Sequence, residues 1–251
     1  MSEPGVGVQL IVFAGRQNQD LKGVLADVAD VGYDAAEIGA NFVDDLGAEA
    51  VKSVIEETGL SACGIHGGYA NYADAEWVGR AIEFCRAIGC EYLLCSGVKD
   101  RESLEGYVAS AEVFNEAGRR AADAGLTFCY HNHAWEFQQF GDQKGIHALA
   151  AATDPALVKL NIDVYWVHIG GESPAEFIER YHDRAGYYHF KDGSPGPNFI
   201  ELGQGEVDLV AAARAAMRFD PKWIVCEQDR TQLDPKDSIA RSLAYLRELG
   251  F

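Results

Sequence analysis

Short apolar runs in this 251-residue chain end repeatedly in ionisable side chains. Glu37 follows one run, and His66 another within Gly64-Ile65-His66-Gly67-Gly68. Further on come Tyr130-His131-Asn132-His133-Ala134-Trp135-Glu136-Phe137, Asn161-Ile162-Asp163, His189-Phe190-Lys191-Asp192 and Cys226-Glu227-Gln228-Asp229. Any one such residue alone reads as a helix cap or a solvated loop group. Their recurrence points elsewhere. Glu136, Asp163, His189 and Glu227 are separated by 27, 26 and 38 residues. The first two gaps each equal one strand-plus-helix unit, and the third adds the loop 193–208. Three carboxylates and one imidazole brought to one level would repel without a cation. An oxygen-rich set with a single nitrogen suits Mn²⁺ first, with Mg²⁺ or Co²⁺ as alternatives, over thiolate-seeking metals. A metal-free polar cluster is the competing reading.

Around this set stand groups suited to proton transfer and to holding a substrate. His131 and His133 lie two apart, so on an extended segment they share a side. Either can move protons, hydrogen-bond a hydroxyl or ligate a metal, or else only orient a ligand. Lys191 lies two past His189 and can hold a substrate oxygen or an enolate, although a plain surface lysine competes. His66, Trp166 and His168 read as pocket walls, whereas His147 and His182 fall in helical stretches and read as ordinary surface groups. Gly203-Gln204-Gly205 lacks the GxxxxGKS pattern of a phosphate loop and reads as a sharp turn.

The elements that must position these residues alternate regularly. Apolar runs at 8–13, 35–38, 61–65, 92–95, 127–131, 158–162, 187–190 and 223–226 read as strands buried on both faces. Helical periodicity fills the gaps at 20–31, 48–58, 75–88, 103–124, 146–153, 173–182, 209–218 and 236–249. The first four helices stop at Gly32, Gly59, Gly89 and Gly125. Ser173-Pro174 reads as an N-cap followed by proline in the first turn. Eight such units predict one (β/α)₈ TIM barrel domain over 1–251, with the strand ends forming the site. A doubly wound open sheet is disfavoured, because no GxGxxG follows the first strand.

Composition narrows the function. With 21 basic and 39 acidic residues the formal charge is −18, which opposes nucleic-acid binding. No apolar run approaches the length of a membrane span. The start MSEPGVGVQL lacks the pattern of a signal peptide. Six cysteines without a CxxC read as buried small hydrophobes in a reducing, cytoplasmic setting. A homo-oligomer is left open.

At these strand ends the chain resembles the sugar phosphate isomerase/epimerase superfamily, the xylose-isomerase-like TIM barrels, over nearly its whole length. The carriers are Tyr130-His131-Asn132-His133 with Glu136-Phe137, Asn161-Ile162-Asp163 with Trp166 and Gly170-Gly171, His189-Phe190-Lys191-Asp192, Leu202-Gly203-Gln204-Gly205 and Glu227-Gln228-Asp229. The resemblance implies one divalent ion held by Glu136, Asp163, His189 and Glu227. Epimerase branches carry the first glutamate directly on the strand, where this chain has Cys129. The His-Asn-His form resembles inosose-dehydratase-like and keto-glycoside lyase-like branches. The expected chemistry is proton abstraction beside a carbonyl of a carbohydrate, with Glu227 as base. Glu136, His131 or His133 would serve as second acid, and Lys191 would stabilise the enediolate. Isomerisation or epimerisation is the first outcome, and elimination by a lyase or dehydratase the second. A metal-dependent phosphodiesterase on the same barrel is opposed by the charge. A non-catalytic sugar-binding barrel would lack the metal.

Overall fold

A computed structural model describes residues 3–196 and 198–251. Eight parallel strands close into a barrel: β1 (Gly5–Gln9), β2 (Ala35–Gly39), β3 (Ser61–Gly68), β4 (Tyr92–Ser96), β5 (Thr127–His131), β6 (Val158–Asp163), β7 (Ala185–Phe190) and β8 (Trp223–Cys226). Each strand pairs with its sequence neighbours, and β8 closes on β1 with Gly5 opposite Trp223. The crossover helices are α1 (Leu21–Val31), α2 (Ala48–Thr58), α3 (Ala75–Ile88), α4 (Leu104–Asp123), α5 (Gly145–Ala152), α6 (Pro174–Arg180), α7 (Leu209–Met217) and α8 (Pro235–Glu248). This is the (β/α)₈ barrel that the alternation predicts, and closure removes the open-sheet alternative. Gly32, Gly59 and Gly89 cap their helices in the left-handed conformation, as expected. All six cysteines are buried and free.

The first strand differs from expectation. The apolar run 8–13 reads as a strand, but the strand is Gly5–Gln9, and Leu10–Phe13 form a 3₁₀ turn. The reason is space inside the barrel. A Cβ on Gly5 would stand 2.2 Å from the Trp223 ring, and one on Gly7 would stand 2.9 Å from Cys63 Sγ. Only glycine admits these neighbours, so the strand hides in a segment of low β-propensity. Two antiparallel hairpins, at 139–144 and 192–200, also decorate the barrel. Pro197 within the second lies outside the described residues.

The interior is layered. Ala35, Cys63, Leu94, Cys129, Tyr187 and Val225 pack together inside the barrel as an apolar plug. Strand residues alternate in direction, so the next inward positions lie two further along. On β2, β5, β7 and β8 those positions are Glu37, His131, His189 and Glu227. The polar layer therefore rests directly on the apolar one, at the carboxyl ends of the strands. Among the described residues no helix is long and apolar enough to cross a membrane.

Helix α4 approaches the chain ahead of β6 so closely that a Cβ on Gly118 would stand 2.4 Å from the Leu157 carbonyl oxygen. In an exposed helix Gly→Ala stabilises by about 1 kcal/mol. Here Gly118→Ala should instead cost roughly 1–3 kcal/mol, because backbone must move. Urea unfolding midpoints of the two proteins check the sign.

Candidate metal centre

The polar layer brings four buried side chains to one point. One donor atom from each of His131, Asp163, His189 and Glu227 lies within 4.8 Å of the other three. A single divalent ion could bridge that spacing. His131 Nδ1 and Nε2, Asp163 Oδ2, His189 Nδ1 and Glu227 Oε2 are all buried without a hydrogen-bond partner. His189 Nδ1 and Glu227 Oε2 touch without hydrogen-bond geometry. Buried polar atoms are normally satisfied, so orphaned lone pairs converging on one point fit a cation.

Each ligand candidate is held by its other side. Asp163 ends β6 and caps the short helix Val164–Ile169, with Oδ1 accepting the Trp166 N–H at 2.9 Å, which leaves Oδ2 free. His189 Nε2 donates to Glu37 Oε2 at 2.6 Å, which turns Nδ1 inward against Glu227, where it keeps a proton that a bound cation would displace. Glu37 also accepts from His66 Nδ1 at 2.8 Å. Burial alone would raise the Glu37 carboxyl, but His189 and then His66 outweigh it and hold the group below the ordinary carboxylate range. Burial would lower His189, yet Glu37 and Glu227 lift it to about 10. Glu227 is likewise driven up by burial and held well below the usual value by Lys191 and His189. Asp163 has weaker compensation, and burial raises it to about 8 despite Lys191. Burial also depresses His131 strongly and His133 to about 3, so both imidazoles are neutral.

Glu136, expected as the first ligand, is not brought to this group. It lies past the end of β5 in the 3₁₀ turn Trp135–Phe137, where strand alternation no longer governs direction. Its carboxylate accepts the Tyr130 hydroxyl at 2.6 Å and the His133 N–H at 2.8 Å. Burial still raises it to about 7. The inward position at the end of β5 belongs to His131, which takes the fourth place.

Lys191 is fully buried beside the group, with Nζ 3.2 Å from Glu227 Oε1 and in contact with Asp229. The rings of Trp166 and Phe199 stand 4.6 and 4.5 Å from it. Burial would lower Lys191, but Glu227, Asp163 and Asp229 together raise it, so it remains an ammonium. His133 lines the adjoining cavity and stacks on Trp135 at 3.9 Å. His66 lines the same cavity, whereas His168 does not and sits on the helix after Asp163. Glu37, Asp229 and Phe199 escaped the sequence reading as site residues. Glu37 had one usable signal, an acid inside a short buried strand. Phe199 had none, because a hairpin brings it in. Gly203-Gln204-Gly205 is a turn, as expected, fastened by Asp192, whose Oδ2 accepts the N–H groups of Gly203 and Gly205 and whose Oδ1 accepts that of Val207.

A family model described as "Xylose isomerase-like TIM barrel" matches residues 25–249. The chain belongs to this family. Among curated relatives, an inosose dehydratase of Klebsiella pneumoniae is 23% identical over 90% of this chain and 88% of its own length. The inosose dehydratase of Geobacillus kaustophilus is 24% identical over 67% of this chain, and the match spans 61% of that relative's length. A solved sugar phosphate isomerase/epimerase from Parabacteroides distasonis has the same fold, with TM-score 0.83 and 22% identity over 98% of this chain and 94% of that one. These neighbours are themselves of isomerase, epimerase and dehydratase type.

The raised Asp163 gives a pH test. Unfolded, Asp163 ionises near 3.8; folded and metal-free, it keeps its proton to about 8. The aspartate therefore costs stability progressively from pH 4 to 8 and no further above that. With a chelator present, Asp163→Asn should gain on the wild type across this window, by up to about 6 kcal/mol in total. Urea titrations at pH 5, 7 and 9 measure the gap; a gap independent of pH would refute the assignment.

Proposed function

We propose that the chain is a metal-dependent enzyme that removes the proton beside a carbonyl of a keto-sugar or keto-polyol. The observation that carries this is the convergence of four buried donor atoms beside a buried lysine, with His131 and Glu227 of that group lining a cavity. His131, Asp163, His189 and Glu227 would hold the ion, with Mn²⁺ first and Mg²⁺ or Co²⁺ as alternatives. Bound there, a divalent ion supplies Lewis acidity toward a carbonyl and its neighbouring hydroxyl.

The remaining steps belong to the chain's own groups. Glu227, held ionised beside Lys191, takes the proton from carbon. The Lys191 ammonium stabilises the negative charge that develops on oxygen. His133, neutral and stacked on Trp135, hydrogen-bonds a substrate hydroxyl. His66 donates Nδ1–H to Glu37, which leaves Nε2 to exchange a proton with the ligand. With Glu136 engaged by Tyr130, the second carboxylate on the cavity is Asp229, which shares Lys191 with Glu227 and so does not stand opposite it for epimerisation. Elimination as a dehydratase or lyase is the first reading: Glu227 passes the proton taken from carbon to the departing hydroxyl, which leaves as water while His133 hydrogen-bonds it. The inosose dehydratase relatives agree with that reading. Isomerisation is the second reading. Glu227 alone supports it, because one carboxylate can carry a proton between adjacent carbons.

Two measurements test this. Titration with Mn²⁺ should give one equivalent bound, lost in His131→Ala, Asp163→Ala and Glu227→Ala and retained in Glu136→Gln. Loss in Glu136→Gln with retention in His131→Ala would restore the glutamate as ligand. A panel of keto-sugars and inososes in deuterated water should show water loss with the wild type and a rate about 10²–10⁴ lower in Glu227→Gln. Deuterium uptake without water loss would mark the isomerase, and neither event with any substrate would end the enzyme reading.

A further inference from the structure

The cavity beside the four-donor group is larger than one sugar ring requires. It has a volume of about 380 Å³. A hexose ring fills roughly 200 Å³ at the density of a protein interior. Only one end of the cavity belongs to the centre already described, where His131, His133 and Glu227 line it. The remainder extends over the ends of β1, β2 and β3, and its chemistry is different.

That second half is built from amides on a floor of small residues. Gln17 and Asn18 come from the segment after β1, Asn41 from the turn after β2, and Asn71 from the helix after β3. The floor is Gly39, Ala40, Gly67 and Gly68, where any longer side chain would occupy the space. The amides are oriented. Asn71 Oδ1 accepts the Gly68 N–H at 3.0 Å, which commits its oxygen and leaves its NH₂ as donor. Asn41 Nδ2 donates to Asn18 Oδ1 at 3.1 Å, which leaves the Asn41 oxygen as acceptor and the Asn18 NH₂ as donor. Held donors and acceptors side by side match vicinal hydroxyls. Among the described residues no lysine or arginine lines the cavity, and its charged members include Glu227 and Asp229. A phosphate dianion would meet carboxylates there, without the charged donors that normally hold it.

We propose that this amide-lined half binds a second, uncharged polyhydroxyl unit joined to the reacting sugar. The preferred substrate is thus an unphosphorylated glycoside of two units, in place of a free monosaccharide or a sugar phosphate. This assignment rests on the proposed function for which end reacts, but not for whether the second unit binds.

The test is therefore a binding measurement on the full chain in chelator. Cellobiose, maltose and sucrose would be compared with glucose, fructose and glucose 6-phosphate by calorimetry, with saturation-transfer NMR reporting which ring is in contact. At least one disaccharide should bind tenfold or more tighter than its component monosaccharides, with both rings saturated. The double variant Asn18→Ala/Asn41→Ala should erase that advantage and leave monosaccharide affinity unchanged. Both positions are exposed, so folding should be unaffected, and Gln17→Ala gives a second variant with the same expectation. Glucose 6-phosphate should bind no better than glucose. Equal affinity for disaccharides and monosaccharides, or tighter binding of glucose 6-phosphate, would overturn the proposal. Disaccharide binding that survives while Mn²⁺ titration fails would sink the metal reading alone.

Discussion

One buried carboxylate organises the centre. Glu37 sits on β2 at the bottom of the polar layer and receives a proton donor from each of two histidines, His66 and His189. Those two bonds decide which nitrogen of each ring is left over. His189 must turn Nδ1 toward Asp163 and Glu227, and His66 must leave Nε2 for whatever enters the cavity. A fully buried acid would ordinarily resist ionisation, and only its two imidazole partners keep it charged. The same mutual dependence links Lys191 to Glu227, so the centre is a set of charges none of which is stable there alone.

The architecture was readable because two kinds of segment alternate. Short apolar runs buried on both faces and stretches of helical periodicity follow one another eight times, which leaves few arrangements besides a closed barrel. Helix ends were placed well, since Gly32, Gly59 and Gly89 mark real left-handed caps. Strand β1 was displaced because its interior positions are glycines required by the Trp223 ring and Cys63. An apolar-run criterion cannot see a strand whose interior face must be empty.

The site was legible to the extent that strand geometry governs it. Asp163, His189 and Glu227 lie on, or one residue past, barrel strands, and their spacing alone brought them together. Glu136 failed the same logic. It has the right chemistry and the right distance from Asp163 in sequence, but it lies beyond the strand in a turn that points it at Tyr130. Spacing alone leaves open which of His131 and His133 ligates a metal, and the two-residue step from Cys129 places His131 on the inward face. Phe199 reaches Lys191 from a hairpin and Asn41 reaches the cavity from a turn, and nothing in their neighbouring residues announces it. What strands place is recoverable from spacing, and what loops place is not.

Asp192 has a wider bearing than its position suggests. By gathering the N–H groups of Gly203, Gly205 and Val207, it anchors the base of the segment that carries Phe199 over the Lys191 ammonium. The aromatic cover over that charge is then assembled before any ligand arrives. Entry of a substrate need not order this wall, and little conformational entropy is lost there on complexation. On the opposite rim Asn18 and Asn41 are exposed and hold each other, so one barrel mouth joins a buried side for chemistry to an exposed side for recognition.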